Sequence, residues 1–294
     1  MGVGRLLHSL FLGGALTSMW HKLLASITKT GFFLRELVAA WSGPRKGMRI
    51  LFSVKPKWQR AISFGFSLSP YKVTFAEFAP AVLDGKDLIV PLTIDDAKTL
   101  NGQAKLLADS LIPVAENHVI ELCDDKVQLN AALIAAGFGQ YVPEMGTDIA
   151  FPWILKKRID EWGSNSQIIW DAQQAQMHAE LISDPRYFCQ SVVATNREYA
   201  AHVLMRGGRI VHALNIEYIF AKKLYIQGKD RPICKTISPC PYLELFTDIL
   251  NAIGYNGLCC IDYKVQDNRP LLLEINPRFG GSLSAFFFSF MRHL

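Results

Sequence analysis

No pair among the six cysteines, Cys123, Cys189, Cys234, Cys240, Cys259 and Cys260, has C-x-x-C spacing. Reduced, buried thiols of a cytosolic protein are therefore the reading ahead of a disulfide framework. No Gly-x-Gly-x-x-Gly follows the first strand candidate, so a dinucleotide fingerprint is missing. No apolar run reaches the roughly 18 residues of a spanning helix. The longest near the start, Leu6 to Leu16, is too short, and no small-x-small cleavage site follows it. Carboxylates are nearly absent from the first 47 residues, where Glu36 stands against six lysines and arginines. That segment accounts for the whole formal charge of +5, and residues 48–294 are formally neutral. A nucleic-acid-binding body should carry a basic face, so the charge distribution argues against one. No Ser/His/Asp or Cys/His constellation asks for a nucleophilic side chain.

Half of the 294 residues are hydrophobic, enough for a sizeable core. From Leu16 to Trp41 the apolar positions recur at helical spacing, with Lys22, Lys29 and Arg35 between them. This basic amphipathic helix or helix pair has two readings. It covers a domain or subunit face, or it lies on an anionic membrane surface. A third reading starts translation at Met48, where a strand-like Met-Arg-Ile-Leu-Phe begins. Ser42 to Gly47 reads as a linker.

Strand candidates at 49–54, 71–75 and 87–92 alternate with helix candidates at 58–68 and 95–110. The apolar third strand suits a parallel sheet buried on both faces. Residues 48–112 thus predict a small open α/β lobe. Further on, 120–137 reads as one helix, with Asp124 or Asp125 at its first turn and Gly137 after its end. Residues 171–182 read as another helix, as does 241–253 with Pro241 at its start. Residues 284–294 read as a packed terminal helix.

Two apolar runs, 258–261 and 271–275, flank the polar turn Gln266-Asp-Asn-Arg-Pro270. They predict a β-hairpin. Asp262 is expected at the end of its first strand. Glu274 and Asn276 stand two apart on its second and share a face. Antiparallel pairing brings Asp262 to them. Two carboxylates and an amide are hard oxygen ligands, suited to a Mg²⁺ also held by phosphates. Arg278 is placed to clamp a phosphoryl oxygen.

The run Asp262, then Glu274-Ile-Asn276-Pro-Arg278-Phe-Gly-Gly-Ser282, resembles the metal-binding signature of the ATP-grasp superfamily. That superfamily includes D-alanine–D-alanine ligase, biotin carboxylase and the carbamoyl phosphate synthetase large chain. The resemblance spans about residues 115–283. It implies a two-subdomain ATP-grasp fold, with subdomains of about 113–187 and 188–294, behind the 1–47 extension and the 48–112 lobe. It also implies nucleotide roles for particular residues. Phe151-Pro-Trp-Ile-Leu-Lys156 matches the strand whose lysine meets the α/β-phosphates, with Lys157 in place of the usual proline. Lys126 matches a lysine near the nucleotide, although a solvated helix lysine reads equally well. Residues 160–167, with Gly163, Ser164, Asn165 and Ser166, match the loop over the phosphates. Only one glycine remains there, and an ordinary turn is the alternative. Gln190, Ser191 and Val193 match the linker that reads adenine, without its usual Glu-Lys pair. Glu198 matches the acid that binds the ribose.

The fold expected is therefore α/β and α+β, a small open α/β lobe followed by an ATP-grasp fold. The function expected from the resemblance is a cytoplasmic, ATP- and Mg²⁺-dependent (or Mn²⁺-dependent) ligase. It activates a substrate carboxylate as an acyl phosphate for an amine or thiol nucleophile. Lys156 and Arg278 would act on the phosphoryl groups, and Asp262, Glu274 and Asn276 would hold the metal. Its partners would be ATP and small molecules, not nucleic acid, and a homodimer is compatible. The rival readings are a degenerate ATP-binding regulatory module and a membrane-surface interaction protein led by residues 1–47. Neither the carboxylate nor the nucleophile is legible.

Overall fold

The computed structural model describes residues 3–103, 107, 110–160 and 163–294, with side chains of the first helix from Met19 onward. One continuous helix, α1 (Val3–Ser42), opens the chain. A parallel three-stranded sheet follows, ordered β2-β1-β3. Its parts are β1 (Arg49–Phe52), α2 (Pro56–Phe66), β2 (Lys72–Phe75), α3 (Pro80–Leu83), β3 (Leu88–Val90) and α4 (Ile94–Asn101). Proline starts both α2 and α3, where its missing N–H costs nothing. Thr93 and Asp96 form a capping box on α4. This helix ends at Asn101, short of the expected 110; residues 104–106, 108 and 109 lie outside the described residues.

The segment read as one helix over 120–137 is broken. It forms α5 (Asn117–Asp124) and α6 (Lys126–Leu133). Asp125, between them, is extended, and its carboxylate accepts hydrogen bonds from the N–H groups of Val127 and Gln128. The side chain caps the second helix instead of continuing the first. Next come β4 (Trp153–Lys157), β5 (Gln167–Ile169), α7 (Ala172–Met177), α8 (Ala179–Ser183) and β6 (Tyr187–Ser191). Residues 171–182 are thus two short helices parted at His178. The three strands make an antiparallel sheet, β5-β4-β6.

The remaining strands are β7 (Arg197–Arg206), β8 (Arg209–Ile219), β9 (Cys234–Ser238), β10 (Gly257–Gln266) and β11 (Arg269–Asn276), with α9 (Leu243–Ala252) before β10. They form an antiparallel sheet ordered β11-β10-β7-β8-β9. Its two faces feed two cores. Cys260, Ala200 and Leu214 pack with the parallel sheet and α2. Cys259, Ile261 and Val203 pack with α5, α6 and α9. Alternation along β10 thus sends adjacent cysteines to opposite cores. The C-terminal segment is two stretches of 3₁₀ helix, Gly281–Leu283 and Phe287–His293, rather than an α-helix. Its phenylalanines fill the first core.

Helix α1 lies against β9 and this C-terminal segment. Ala25 is buried with Ile219 and Cys234. The rings of Phe33 and Phe288 meet edge-on at 4.9 Å. Glu36, almost wholly buried, pairs with Arg292 at 3.1 Å, and Arg45 donates to the carbonyls of Met291 and Leu294. Helix α2 approaches so closely that a Cβ on Gly65 would strike the Ala285 carbonyl.

Gly65→Ala should therefore overpack this contact and cost about 1–3 kcal/mol. Gly31→Ala, at a helical site with nothing within 4 Å of a new Cβ, should stabilise by about 0.5–1 kcal/mol. Urea unfolding of the two variants checks both signs.

Candidate active site

The β10–β11 hairpin closes through Asp267 and Asn268, both left-handed at φ 51° and 58°, as a two-residue primed turn requires. That turn sets the register from Gln266–Arg269 as far as Tyr263–Leu272, and a β-bulge between Asp262 and Tyr263 then shifts it by one residue, so that Asp262 faces Glu274 and Cys260 faces Asn276. Asp262 therefore sits in mid-strand and not at the strand's end, because β10 runs on to Gln266. The Asn276 amide donates at 3.0 Å to the carboxylates of both Asp262 and Glu274.

Lys126 reaches the same place from α6. The break at Asp125 turns this first helical residue toward the hairpin, and Arg158 pins the Asp125 carboxylate at 2.6 Å. The Lys126 ammonium lies 3.0 Å from Glu274 and donates to the Asp160 carbonyl at 3.1 Å. Lys156 comes from β4. Trp153 and Leu155 point into a core, so alternation turns Ile154 and Lys156 to the cleft, where Lys156 donates to Gln190 Oε1 at 2.9 Å. These groups line one cleft between the two antiparallel sheets, of about 1190 Å³ including its open mouth, ample for a small-molecule ligand.

Burial pushes the Glu274 carboxyl up, but Lys126, the Asn276 hydrogen bond and Lys156 outweigh it and hold Glu274 down at about 2. Asp262 goes the other way. Burial raises it well above the carboxylate range, and the charges of Glu274 and Glu198 push it further. Lys156 is lowered to about 8 by burial, with Lys126 and Lys264 adding to the effect against Glu274. Burial also raises Asp124, against the pull of Lys126 and Arg278.

At the other end of the cleft, Glu198 on β7 and Lys264 on β10 stand 3.8 Å apart, both buried. The Lys264 ammonium lies 3.9 Å from the Tyr225 ring centroid. Ser191, the last residue of β6, and Val193 just after it line the same cleft. Gly163 lines it too, at a left-handed φ of +59°, and a Cβ there would press on the Gln227 carbonyl at 3.2 Å. Ser164 does not line it; its hydroxyl donates to Asp160 at 3.0 Å. Glu161 and Trp162 of the same loop lie outside the described residues. Past β11, the Arg278 guanidinium stands 5.8 Å from the Trp58 ring. A Cβ on Gly280 would strike His202, and one on Gly281 would come within 3.0 Å of Trp58. The two glycines let this turn press against β7 and the first lobe, with Ser282 bonded to His202 at 2.7 Å.

The residues named from the sequence, apart from Ser164 and Asn165 of the 160–167 loop, thus meet at one cleft. Lys264, Tyr225 and Tyr218 line the cleft too and were not among them. Lys264 had a legible signal: Cys260, Asp262 and Lys264 alternate on one strand and share the cleft face. Tyr225 follows a strand as an irregular segment, which no periodicity marks.

The donor set fits a hard divalent cation. Two carboxylates stand side by side with one pushed toward protonation, the signature of like charges needing a counter-ion. A half-turn of the Asn276 amide would replace its donor with an oxygen ligand. Among the described residues, no cluster of three His, Cys, Asp or Glu could hold a metal, so amide or phosphate oxygens would have to complete the shell.

The opposed shifts set the pH dependence of stability. The low Glu274 stabilises the fold above about pH 4.3, its unfolded value, and this is lost as pH falls through about 2. The raised Asp262 binds its proton more tightly in the folded state, so stability falls as pH rises from about 3.9 toward its folded value. Asp262→Asn should therefore raise stability at pH 7–8 by about 0.5–2 kcal/mol and flatten that decline. Thermal melts across neutral pH check this.

Residues 123–282 match the ATP-grasp domain family. No curated protein matches the sequence. Among solved structures, phosphoribosylamine–glycine ligase from Thermotoga maritima is similar with a TM-score of 0.62 and 15% identity, over 81% of this chain and 71% of that one. L-amino acid ligase from Bacillus licheniformis gives 0.58 at 12% identity, over 83% and 70%. D-alanine–D-alanine ligase from Bacillus anthracis gives 0.56 at 15% identity, over 81% and 89%. At such identities the likeness is one of fold. The family match covers more than half of the chain and includes the acid hairpin, Lys126 and Lys156, and on that ground the chain belongs to the ATP-grasp family.

Proposed function

We propose that this protein is an ATP-dependent ligase that joins a carboxylate to an amine. The observation that carries the reading is the convergence of Asp262, Glu274, Asn276, Lys126 and Lys156 at one cleft, with Arg278 at its edge. A polyphosphate between the two sheets would meet Lys156 and Lys126 as compact positive charges. Its nucleoside would extend toward Ser191, Val193 and the Glu198–Lys264 pair. Asp262, Glu274 and Asn276 would hold Mg²⁺, which supplies charge neutralisation to phosphoryl oxygens.

In this reading, a carboxylate oxygen of the substrate attacks the γ-phosphorus and ADP leaves. The amine then attacks the acyl carbon and inorganic phosphate leaves, while the amine proton passes to solvent or phosphate. Arg278 faces the developing charge, and the first lobe backs it through Trp58. The site's contribution is placement and preorganised charge, and no protein nucleophile takes part. The ligases with similar structures support this class of reaction. The glycine-poor loop at 160–167 favours a second reading, an ATP-binding module without turnover.

Calorimetry of ATP with Mg²⁺ should show binding that weakens at least about tenfold in Glu274→Gln with Asn276→Ala, the loss of about 1.4 kcal/mol. Arg278→Ala should keep ATP affinity within about threefold and lower amine-dependent ADP release about 10²–10³-fold. ATP binding without ADP release, for every carboxylate and amine tried, would select the second reading. No binding by folded protein would overturn both. A further mark comes from Lys156, lowered to about 8. A phosphate beside it raises it again, so binding at pH 8 should take up protons, seen as a heat that varies with buffer ionisation. Lys156→Arg should abolish that uptake.

A further inference from the structure

The inner face of α1 is buried through Ala25, Glu36 and Ala40. Its opposite face carries Trp20, Leu24, Ile27, Leu34, Val38 and Trp41, spaced three, four or seven apart, as one helix face requires. All are exposed, from 52% at Trp41 to 66% at Val38. This second apolar stripe has no partner among the described residues. It continues onto the C-terminal end of α2 and the turn after it, where the Trp41 indole donates to the Leu68 carbonyl at 2.8 Å. Leu68 and Phe64 are exposed there by 60% and 67%.

The charge around the stripe is of one sign. From residue 1 to 76 the chain has eleven lysines and arginines and a single carboxylate, Glu36. Glu36 faces inward, paired with Arg292 and Arg35, so no described carboxylate of this segment is exposed. Lys22, Arg35, Lys46, Lys57 and Arg60 are exposed.

We infer that the outward face of α1, with Phe64 of α2 and Leu68 just past its end, docks on an anionic lipid bilayer. An apolar stripe supplies burial in the acyl boundary, and cations around it meet anionic headgroups. The helix has 40 residues, about 60 Å of length. Among the described residues no helix is long and apolar enough to cross a membrane, so α1 would lie in the surface. A second copy fits less well. A two-fold interface sets a patch against itself, and here that would stack positive charge on positive charge with no carboxylate between.

The test is flotation of the full chain with phosphatidylcholine vesicles, with or without about 30% phosphatidylglycerol. Binding should be at least about tenfold stronger to the anionic vesicles and should weaken as NaCl rises from about 0.1 to about 0.5 M. Emission from Trp20 and Trp41 should shift to the blue. A Leu24→Glu, Ile27→Glu, Leu34→Glu variant alters exposed side chains only. It should keep the wild-type melting temperature and calorimetric ATP response and lose flotation. Failure of the wild type to float on anionic vesicles would overturn the inference. So would flotation of the triple variant equal to wild type, or equal binding to both vesicles. Dimerisation in sedimentation velocity, lost in the variant and without vesicle binding, would assign the face to a second copy instead.

Discussion

Two carboxylates that repel each other are locked side by side, and much of the cleft is arranged around that fact. The primed turn at Asp267 and Asn268, together with the bulge between Asp262 and Tyr263, sets Asp262 opposite Glu274. Backbone hydrogen bonds on both sides of β10 enforce the placement, since β7 pairs with its other edge. The side chains cannot move apart, so the repulsion is relieved chemically: Asn276 donates to both, Lys126 salt-bridges Glu274, and Asp262 drifts toward its neutral form. Each relief recruits another element. Lys126 requires the helix break at Asp125, and Asp125 requires Arg158 at the end of β4. The cleft is thereby held from both sheets.

The hairpin was legible because its chemistry and its periodicity coincide. Glu274 and Asn276 stand two apart beside β-branched and leucine residues, which fixes face and ladder together. The parallel lobe was legible for a similar reason: Leu88, Ile89 and Val90 form an unbroken apolar run, and all three are buried. Helix continuity was less so. Residues 120–137 carry helical periodicity throughout, and only the capping strength of one aspartate, supported by an arginine 33 residues away, divides them. Such support is tertiary and leaves no local pattern. The terminal phenylalanines announced a packed segment, but the choice of 3₁₀ over α was made by the core they fill.

The cleft's far end teaches the opposite lesson. Glu198 is legible from the family pattern, yet its buried partner Lys264 shifts its setting from a solvated acid to half of a desolvated pair. Burial raises Glu198 and lowers Lys264, and each opposes the other's shift. Tyr225, stacked on Phe220 at 3.7 Å, shields the pair from above. None of this follows from the strand on which Glu198 lies. It follows from where β10 and the β8–β9 connection are brought in three dimensions.

Lys126 has one ammonium and, in this arrangement, spends it on Glu274. A divalent cation settling between the carboxylates would compete for that same oxygen and free the lysine to turn toward phosphate. The converse also holds, since a phosphate that draws Lys126 away leaves Glu274 short of positive charge. Cation and polyanion would then bind with positive coupling, each increasing affinity for the other by the same factor. A single salt bridge of 3.0 Å thus balances charge within the cleft and couples its cation and anion positions through electroneutrality rather than through shape.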